Sequence, residues 1–508
     1  MEDSSSIQIL SLFILFLSPL LLLKCFLSSQ TNKNKINPPP SPRKIPIIGH
    51  LHCFAKDPHR SLLSLSRRHG PIMLLHLGSS PAVVISSAAA AKEIMKTHDL
   101  IFSNRPVFKV NRKLLYDLKD VSVSPYGEYW RQLKSICVLQ LLSNHKVKSF
   151  RSVREEEVLL MIEKIEESRG KNIQVNLSEM FSKLANDIVC RASFGRKYDE
   201  GEKGRRFRRL LKEFLVVLGT VNAGDFLPWL SWINKLNGWD NRVDRVAKEM
   251  DDFLEEVVEE KMNQRKFEEI VDEDDDERKE GFVDILLRIH MSQETGVSID
   301  RDSVKAIILD IFSAGTDTTS TILEWAMTEL LRHPKAMKEL QNEVRKVANG
   351  KSIVTEDDIE NMSYLKAVIK ETLRYHTPIP LLVPREATQD VKVMGYDIAV
   401  GTIVFINGWA IGRDPVSWDD PEEFKPDRFL NSSIDYRGRD FELIPFGAGR
   451  RGCPGISFGI ATNELALANI VNKFNWELPN RMKGEDLDVD ECIGVTIHRK
   501  NPLVALAM

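Results

Sequence analysis

Residues 446–455 read Phe446-Gly447-Ala448-Gly449-Arg450-Arg451-Gly452-Cys453-Pro454-Gly455. Gly447, Gly449 and Gly452 spell G-x-G-x-x-G, the dinucleotide fingerprint, which carries little weight alone. About 50 residues follow it, too few for a dinucleotide-binding half-domain and its sheet. The stretch instead predicts a glycine-rich loop that presents a thiolate. Glycines let the backbone come close to a flat ligand. Backbone N–H groups can donate to the sulfur, and Arg451 adds positive charge two residues before it. Pro454 and Gly455 suit a turn into a helix starting near Ile456, whose N-terminus favours negative charge. A lone cysteine is usually a small buried hydrophobe; ten residues of this composition are far more specific.

The rest of the chain narrows the setting. Its 508 residues include 70 Lys and Arg against 73 Asp and Glu, a net charge of −3 that gives no reason to expect nucleic acid. At 43% hydrophobic and 28% charged, the bulk is an ordinary globular protein. Length alone suggests about three domains. The six cysteines, Cys25, Cys53, Cys137, Cys190, Cys453 and Cys492, form no C-x-x-C pair, and no histidine sits in H-E-x-x-H. A disulfide scaffold, zinc fingers and helical zinc proteases are thereby excluded.

The N-terminus departs from the average. Residues 7–23 carry no charge, and Glu2 and Asp3 precede them, while Lys24, Lys33, Lys35, Arg43 and Lys44 follow. This predicts an uncleaved anchor with its N-terminus in the lumen and the body in the cytosol. In that topology the acceptor patterns at Asn176 and Asn431 are chance matches. The proline-rich stretch 38–42 predicts a stiff spacer. Residues 226–239 hold three of the eight tryptophans, placed either at a membrane interface or in the core. Residues 268–280 read as a charged loop, and 203–209 as a solvated basic helix face.

Helical patterns dominate after about residue 55, as at 155–165, with strand-like alternation at Ile72–Leu77, 82–85, Val391–Val393 and 402–406. Glu371-Thr372-Leu373-Arg374 places a carboxylate and a guanidinium on one helix face, and Pro426-Asp427-Arg428-Phe429 supplies a second arginine. A long apolar helix over 307–331 ends before Pro334. Ala314-Gly315-Thr316-Asp317-Thr318-Thr319 weakens its middle, where hydroxyls can bond back to carbonyls and bend it.

Together these blocks resemble the cytochrome P450 family. The loop matches Phe-x-x-Gly-x-Arg-x-Cys-x-Gly at Phe446, Gly449, Arg451, Cys453 and Gly455. The resemblance covers essentially the whole body, including Phe102-Ser103-Asn104-Arg105-Pro106 and the tail 494–500. Its wording in 436–455 and 380–387 is similar to the A-type members of plant family 71. It implies a mainly α fold with small β-sheets, organised as an anchor (1–30), a basic, proline-rich hinge (31–50) and one haem-thiolate catalytic domain (51–508).

The resemblance further implies that Cys453 is the axial ligand of haem b. It makes Glu371, Arg374 and Arg428 a buried structural triad, and Asp317 and Thr318 the acid–alcohol pair of oxygen activation, with Ala314 and Gly315 leaving room for O2. It points to Trp130, Lys134 (where arginine is usual, with Arg131 compensating), Arg385 and Arg451 as partners of the haem propionates. It lines the substrate pocket from the loop 107–121, Ile311, Ala314, Gly315, the turn with Thr377, Leu381 and Leu382, and the tail at Val495. The implied activity is a monooxygenase of the endoplasmic reticulum membrane, acting on a small apolar metabolite (aromatic, coumarin or phenylpropanoid, indolic or terpenoid). O2 is its co-substrate, and NADPH–cytochrome P450 reductase, a separate flavoprotein, supplies the electrons through a basic face including Arg450 and Lys134. The rival expectations are a haem-thiolate dehydratase or isomerase, and a non-catalytic haem-binding membrane protein.

Overall fold

The computed structural model describes residues 37–171, 173–197, 202–271, 280–292, 299–492 and 494–508. The predicted anchor and the start of the hinge lie outside these residues, as does 272–279 of the predicted charged loop. Among the described residues no single helix is long and apolar enough to cross a membrane. The described end of the hinge lies on the body rather than standing off it. Leu74 N–H donates to the Pro40 carbonyl (2.9 Å), and Asn37 and Asp397 exchange two hydrogen bonds of 2.8 Å.

Helices build the body. The longest in its centre, Arg301–Arg332, starts where the Asp300 side chain accepts from Ser303 N–H (2.9 Å) and stops before Pro334, which opens the next helix. Every residue from Thr319 to Leu331 is buried, the polar Glu324 and Glu329 included. Its largest interface is with Leu177–Phe194, whose cap is the Asn176 side chain. The expected hydroxyl back-bonds are present. Ser313 donates to the Leu309 carbonyl (2.7 Å), Thr318 to Ala314 (2.6 Å) and Thr321 to Asp317 (2.8 Å). The helix Trp239–Val271 runs four residues into the stretch read as a charged loop.

The strands form small separate sheets. A four-stranded sheet orders Ile72–Leu77, Ser80–Ile85, Ile403–Ile406 and Arg385–Glu386, with the middle pair parallel and the outer pairs antiparallel. Val391–Val393 and Tyr396–Ile398 form a hairpin, and a second one joins Glu491–Cys492 to His498–Arg499. The sheet brings Arg385 from a distant part of the sequence to the edge of the helical body.

The Glu371–Arg374 pair on helix Ser363–Tyr375 is fully buried, with both side chains at 0% exposure. Two parallel bonds of 2.7 Å join Arg374 Nε and Nη2 to the carboxylate. Arg428 Nε (3.1 Å) and Lys425 N–H (2.7 Å) complete Glu371 Oε1. The remaining Arg374 protons go to the carbonyls of Gly412 (2.6 Å), Pro421 (2.8 Å) and Glu423 (2.9 Å). Gly412 is required here, since a Cβ would lie 2.5 Å from the Arg374 carbonyl oxygen. Every donor is satisfied, so the network ties the helix to the irregular segment 412–428. Arg374→Ala strands a buried carboxylate and is expected to cost about 3–5 kcal/mol. Denaturant unfolding followed by circular dichroism checks this; a loss below about 1 kcal/mol would contradict the tie.

Candidate functional site

The glycine-rich loop folds as a series of tight turns. Gly447 N–H reaches the Ile444 carbonyl (2.9 Å), Gly452 N–H that of Gly449 (3.0 Å), and Cys453 N–H that of Phe446 (3.0 Å). Gly449 has φ +68°, and a Cβ there would meet Met95 O at 2.4 Å and Asp99 Oδ1 at 2.5 Å, so no other residue fits. The loop ends at Gly455, the N-cap of helix Ile456–Lys473. Cys453 Sγ is held between that helix start and an internal cavity, and Gly455 N–H points at it from 3.4 Å. Burial pushes the Cys453 thiol up, while the Gly455 N–H and the Lys134 charge pull it down. Sulfur is thus open to the cavity but removed from bulk solvent.

Cations crowd one wall. Trp130, on helix Glu128–Ser135, donates Nε1–H to the Val121 carbonyl (3.0 Å), and its ring carries the Arg451 guanidinium 4.1 Å from the centroid. Arg451 donates to the carbonyls of Ser103 (2.7 Å) and Ser124 (2.6 Å). Arg385 donates to Ala448 O (2.7 Å) and Asp99 Oδ1 (3.2 Å), and Arg105 to the carbonyls of Val383 (2.6 Å), Pro384 (2.7 Å) and Ser122 (3.0 Å). Lys134 Nζ caps the Gly452 carbonyl (2.6 Å).

All three arginines are buried, and main-chain carbonyls satisfy most of their donors without cancelling their charge. Burial, then the neighbouring Arg385, pushes Arg451 down to about 9. Burial, then Arg451 and Arg385, pushes Arg105 well below the ordinary arginine range. A wall with this surplus of buried positive charge is suited to an anion. A thiolate donor facing an apolar cavity flanked by that wall fits haem b: Cys453 would hold its iron and Arg385, Arg451 and Lys134 its propionates, whereas Trp130, whose single donor goes to Val121, supports Arg451 instead of reaching a propionate itself.

The central helix forms the opposite wall. Ile307, Ile311, Ala314, Gly315, Thr318, Thr319 and Ile322 line the cavity, joined by Val189, Phe282, Ile379, Leu382 and Val383. A Cβ on Gly315 would press on Val189 Cγ2 at 3.1 Å, so this helix face is as flat as its packing allows. Asp310 breaks the apolar lining. Its Oδ2 accepts from Val121 N–H (2.7 Å) and Ser122 N–H (3.2 Å), which clamps the segment carrying the Trp130 acceptor.

Several expected site residues are turned elsewhere. Arg131 is exposed and lies over the Tyr126 ring, not at the cavity, because it is one residue round the helix from Trp130. Thr377 is buried with its hydroxyl bonded back to Leu373 (3.1 Å); the next residues, Pro378 and Ile379, take the cavity face. Leu381 packs with the sheet-side core, and Val495 lies against Gly219. Asp317 points away from the cavity, toward the C-terminal hairpin, where Thr496 Oγ1 donates to its Oδ2. Arg105, Asp120 and Asp310 were not singled out from the sequence. Asp310 could have been: it is a lone carboxylate in the apolar run Ile307-Ile308-Leu309-Asp310-Ile311-Phe312.

Asp310 gives the site a pH dependence. Burial, then the nearby Asp120 carboxyl, pushes Asp310 up to about 8. The folded protein therefore keeps a proton that the unfolded chain releases near pH 4, about the ordinary aspartate value. The contribution of Asp310 to stability therefore falls as pH rises between about 4 and 8. Asp310→Asn removes this titration. Unfolding midpoints measured at pH 5.5 and 7.5 should differ less in the variant than in the wild type; parallel shifts would contradict the assignment.

A family model described as Cytochrome P450 matches residues 39–506. Cytochrome P450 736A117 of Prunus mume is 57% identical, covering 100% of this chain and 97% of its own. Cytochrome P450 71A8 of Mentha piperita is 56% identical over 94% of this chain and 91% of its own. Norfluorocurarine oxidase of Strychnos sp is 50% identical over 98% of this chain and 97% of its own. A zebra fish cytochrome P450 solved with abiraterone shares the fold, with a TM-score of 0.74 at 22% identity over 89% of this chain and 98% of that one. The thiol loop, the arginine wall and the threonine-bearing helix thus occur in a chain whose near full-length relatives include several of the plant 71A group, and it belongs to the cytochrome P450 family.

Proposed function

We propose that this monooxygenase inserts one oxygen atom of O2 into a small apolar plant metabolite of the aromatic, coumarin, phenylpropanoid, indolic or terpenoid kind. Its electrons come from NADPH through a separate flavoprotein reductase. The observation that carries the reading is one cavity bounded by Cys453 on one side and by Ala314, Gly315 and Thr318 on the other. Haem held there supplies the activation of dioxygen and the oxygen transfer. The chain supplies the rest. Cys453 presents a sulfur supported by the Gly455 N–H and Lys134, and the arginine wall fixes the orientation of the ring. The aliphatic lining excludes water and admits an apolar substrate. Thr318 has committed its proton to the Ala314 carbonyl, so Oγ1 meets the cavity as an acceptor. A half-identical relative is named as an oxidase, which favours oxygen chemistry over dehydration.

The anchor reading rests on residues 7–23, with the body on the cytosolic face of the endoplasmic reticulum. The tract 226–239 supports it from within the described body. Trp229 is 59% exposed, Trp232 56% and Leu236 76%, an apolar patch suited to a lipid interface. The reductase reading is refined by the structure. Lys134 is committed to Gly452 beside the sulfur and is not a surface charge. Arg131 and Arg450 are exposed, and both flank Tyr126 on the outer side of the thiol loop. These two form the basic face offered to an acidic flavoprotein.

Two measurements test the reading. Cys453→Ala should abolish the absorption signature of thiolate-ligated haem in the reduced, carbon-monoxide-bound protein; a retained signature would place the ligand elsewhere. Arg131→Glu with Arg450→Glu should slow haem reduction by the purified reductase about tenfold or more at low salt, with the gap closing as salt rises. Unchanged reduction kinetics would remove this face as the docking site.

A further inference from the structure

On its cavity face the central helix offers Ile307 and Ile311 and, between them, Asp310. The clamp that holds this carboxyl uses one oxygen only. Oδ2 accepts from Val121 N–H (2.7 Å) and Ser122 N–H (3.2 Å). Among the described residues Oδ1 has no hydrogen-bond partner, and it is the oxygen left for the cavity. Other donors of the lining are committed. Thr318 gives its proton to the Ala314 carbonyl, and Ser122 gives its hydroxyl proton to Asp120 Oδ2. Trp130 Nε1–H goes to the Val121 carbonyl and Lys134 Nζ to that of Gly452. Thr319 keeps a hydroxyl for the cavity, about two and a half turns further along the helix.

The pair Asp120 and Asp310 holds one proton, and the geometry says where. Asp120 is the better solvated by protein: its Oδ2 takes the Ser122 hydroxyl and Val123 N–H (2.8 Å), and the charges of Arg105 and Arg451 act on it. Asp310 has no such support and is pushed up to about 8 by burial and then by Asp120. A neutral carboxyl has one O–H to give. With Asp310 Oδ2 filled by two N–H groups, the proton sits on Oδ1. Asp120 does not draw it away, since the second oxygen of Asp120 is buried without a partner. The remaining titratable groups on this side are Cys137, whose thiol is pushed up to about 12 by burial and then by Asp310, and Lys134 at the Gly452 carbonyl.

We propose that the Oδ1–H of Asp310 determines specificity by donating to the substrate, selecting apolar molecules that carry a neutral acceptor oxygen such as the carbonyl of a ketone, aldehyde or lactone. The inference rests on the monooxygenase reading and names the polar handle of its substrate. A hydrocarbon in the cavity leaves a buried donor unpaired. A cation is the poorer occupant, because Arg105, Arg385 and Arg451 already give the neighbouring wall surplus positive charge. The helix also sets the reach. Asp310 lies one turn before Ala314 and two before Thr318, about 6 and 12 Å along the axis. The oxygen held at Asp310 therefore anchors one end of the substrate, and the carbon to be oxidised lies one to two helical turns away. Ordinary partitioning runs against a ketone, since its carbonyl loses water on entering an apolar site. A preference for the ketone over the matching hydrocarbon thus reports a donor.

Titration calorimetry of the holoprotein with two matched pairs, indane with 1-indanone and tetralin with 1-tetralone, tests the donor. At pH 6.5 each ketone should bind about tenfold tighter than its hydrocarbon. Equal affinities, weaker ketone binding or no binding of either pair overturns the proposal. The advantage should vanish by pH 9.5, as Oδ1 loses its proton, while the hydrocarbon affinities stay level. An advantage independent of pH assigns the donor to a hydroxyl or guanidinium and also overturns it. Asp310→Asn offers an N–H at every pH, so it should keep the ketone preference and lose its pH dependence. Asp310→Leu should lose the preference and Thr319→Val should keep it; the reverse pattern moves the donor to Thr319. Should Asp310→Leu fail to fold, the wild-type pH series and Asp310→Asn still decide. If 1-(dimethylamino)indane binds tighter than 1-indanone and Asp310→Asn abolishes this, the site takes cations and the proposal fails. The reduced, carbon-monoxide-bound spectrum of the same samples separates the two readings. A missing thiolate signature removes the monooxygenase reading; an intact signature without ketone preference removes this inference alone.

Discussion

Three buried arginines impose the main constraint on this structure. Arg105, Arg385 and Arg451 sit within one wall, and the charge they bring is matched directly by a single carboxylate, that of Asp99 on Arg385. Guanidinium groups in such a place are expensive unless they are hydrogen-bonded and paired. The chain meets the first condition by aiming main-chain carbonyls at them from segments 102–124, 383–384 and 448. The arginines thereby stitch together three stretches, with bonds that reach across 63 to 348 residues of chain. The second condition needs an anion in the cavity. A dianionic ring held there would bind the native wall and not the unfolded chain, and would stabilise the former by mass action.

The opposite arrangement holds the helix Ser363–Tyr375. Around Glu371 and Arg374 every donor and acceptor is used, with no room for a ligand and no surplus charge. One network is closed and rigid, the other open toward a cavity. The central helix contacts the helix of the closed network and lines the cavity of the open one. Its C-terminal half is buried on all sides and fixes its position, while Asp310, Gly315 and Thr318 interrupt its N-terminal and middle turns on the cavity face. Helix propensity is sacrificed there, and the packing of the buried half compensates.

Local patterns were legible and long-range consequences were not. The thiol loop, the Glu371–Arg374 spacing and the strands at Ile72–Leu77 and Val391–Val393 are set by neighbours in sequence, so reading the chain finds them. Orientation at a given position is harder. Thr377 and Arg131 lie one residue from positions that do face the cavity or its wall, and a single helical or turn step separates a lining residue from a buried or solvated one. The roles of Arg105 and Asp310 arise from contacts across 17 to 279 residues of chain. No local spacing encodes such contacts. The tryptophans at 229 and 232 show the same limit, since their composition fitted a core as well as a surface, and tertiary packing left them exposed.

The same geometry explains why the acid and the alcohol of the central helix are adjacent in sequence yet separate in space. Successive residues on an α-helix point about 100° apart. Thr318 therefore faces the cavity when Asp317 faces the hairpin at Thr496 and His498. A carboxylate placed beside Thr318 inside the apolar lining would carry a desolvation cost and draw water after it. Placed on the outer face, it keeps two polar partners and access to solvent, and the helix itself is the insulation.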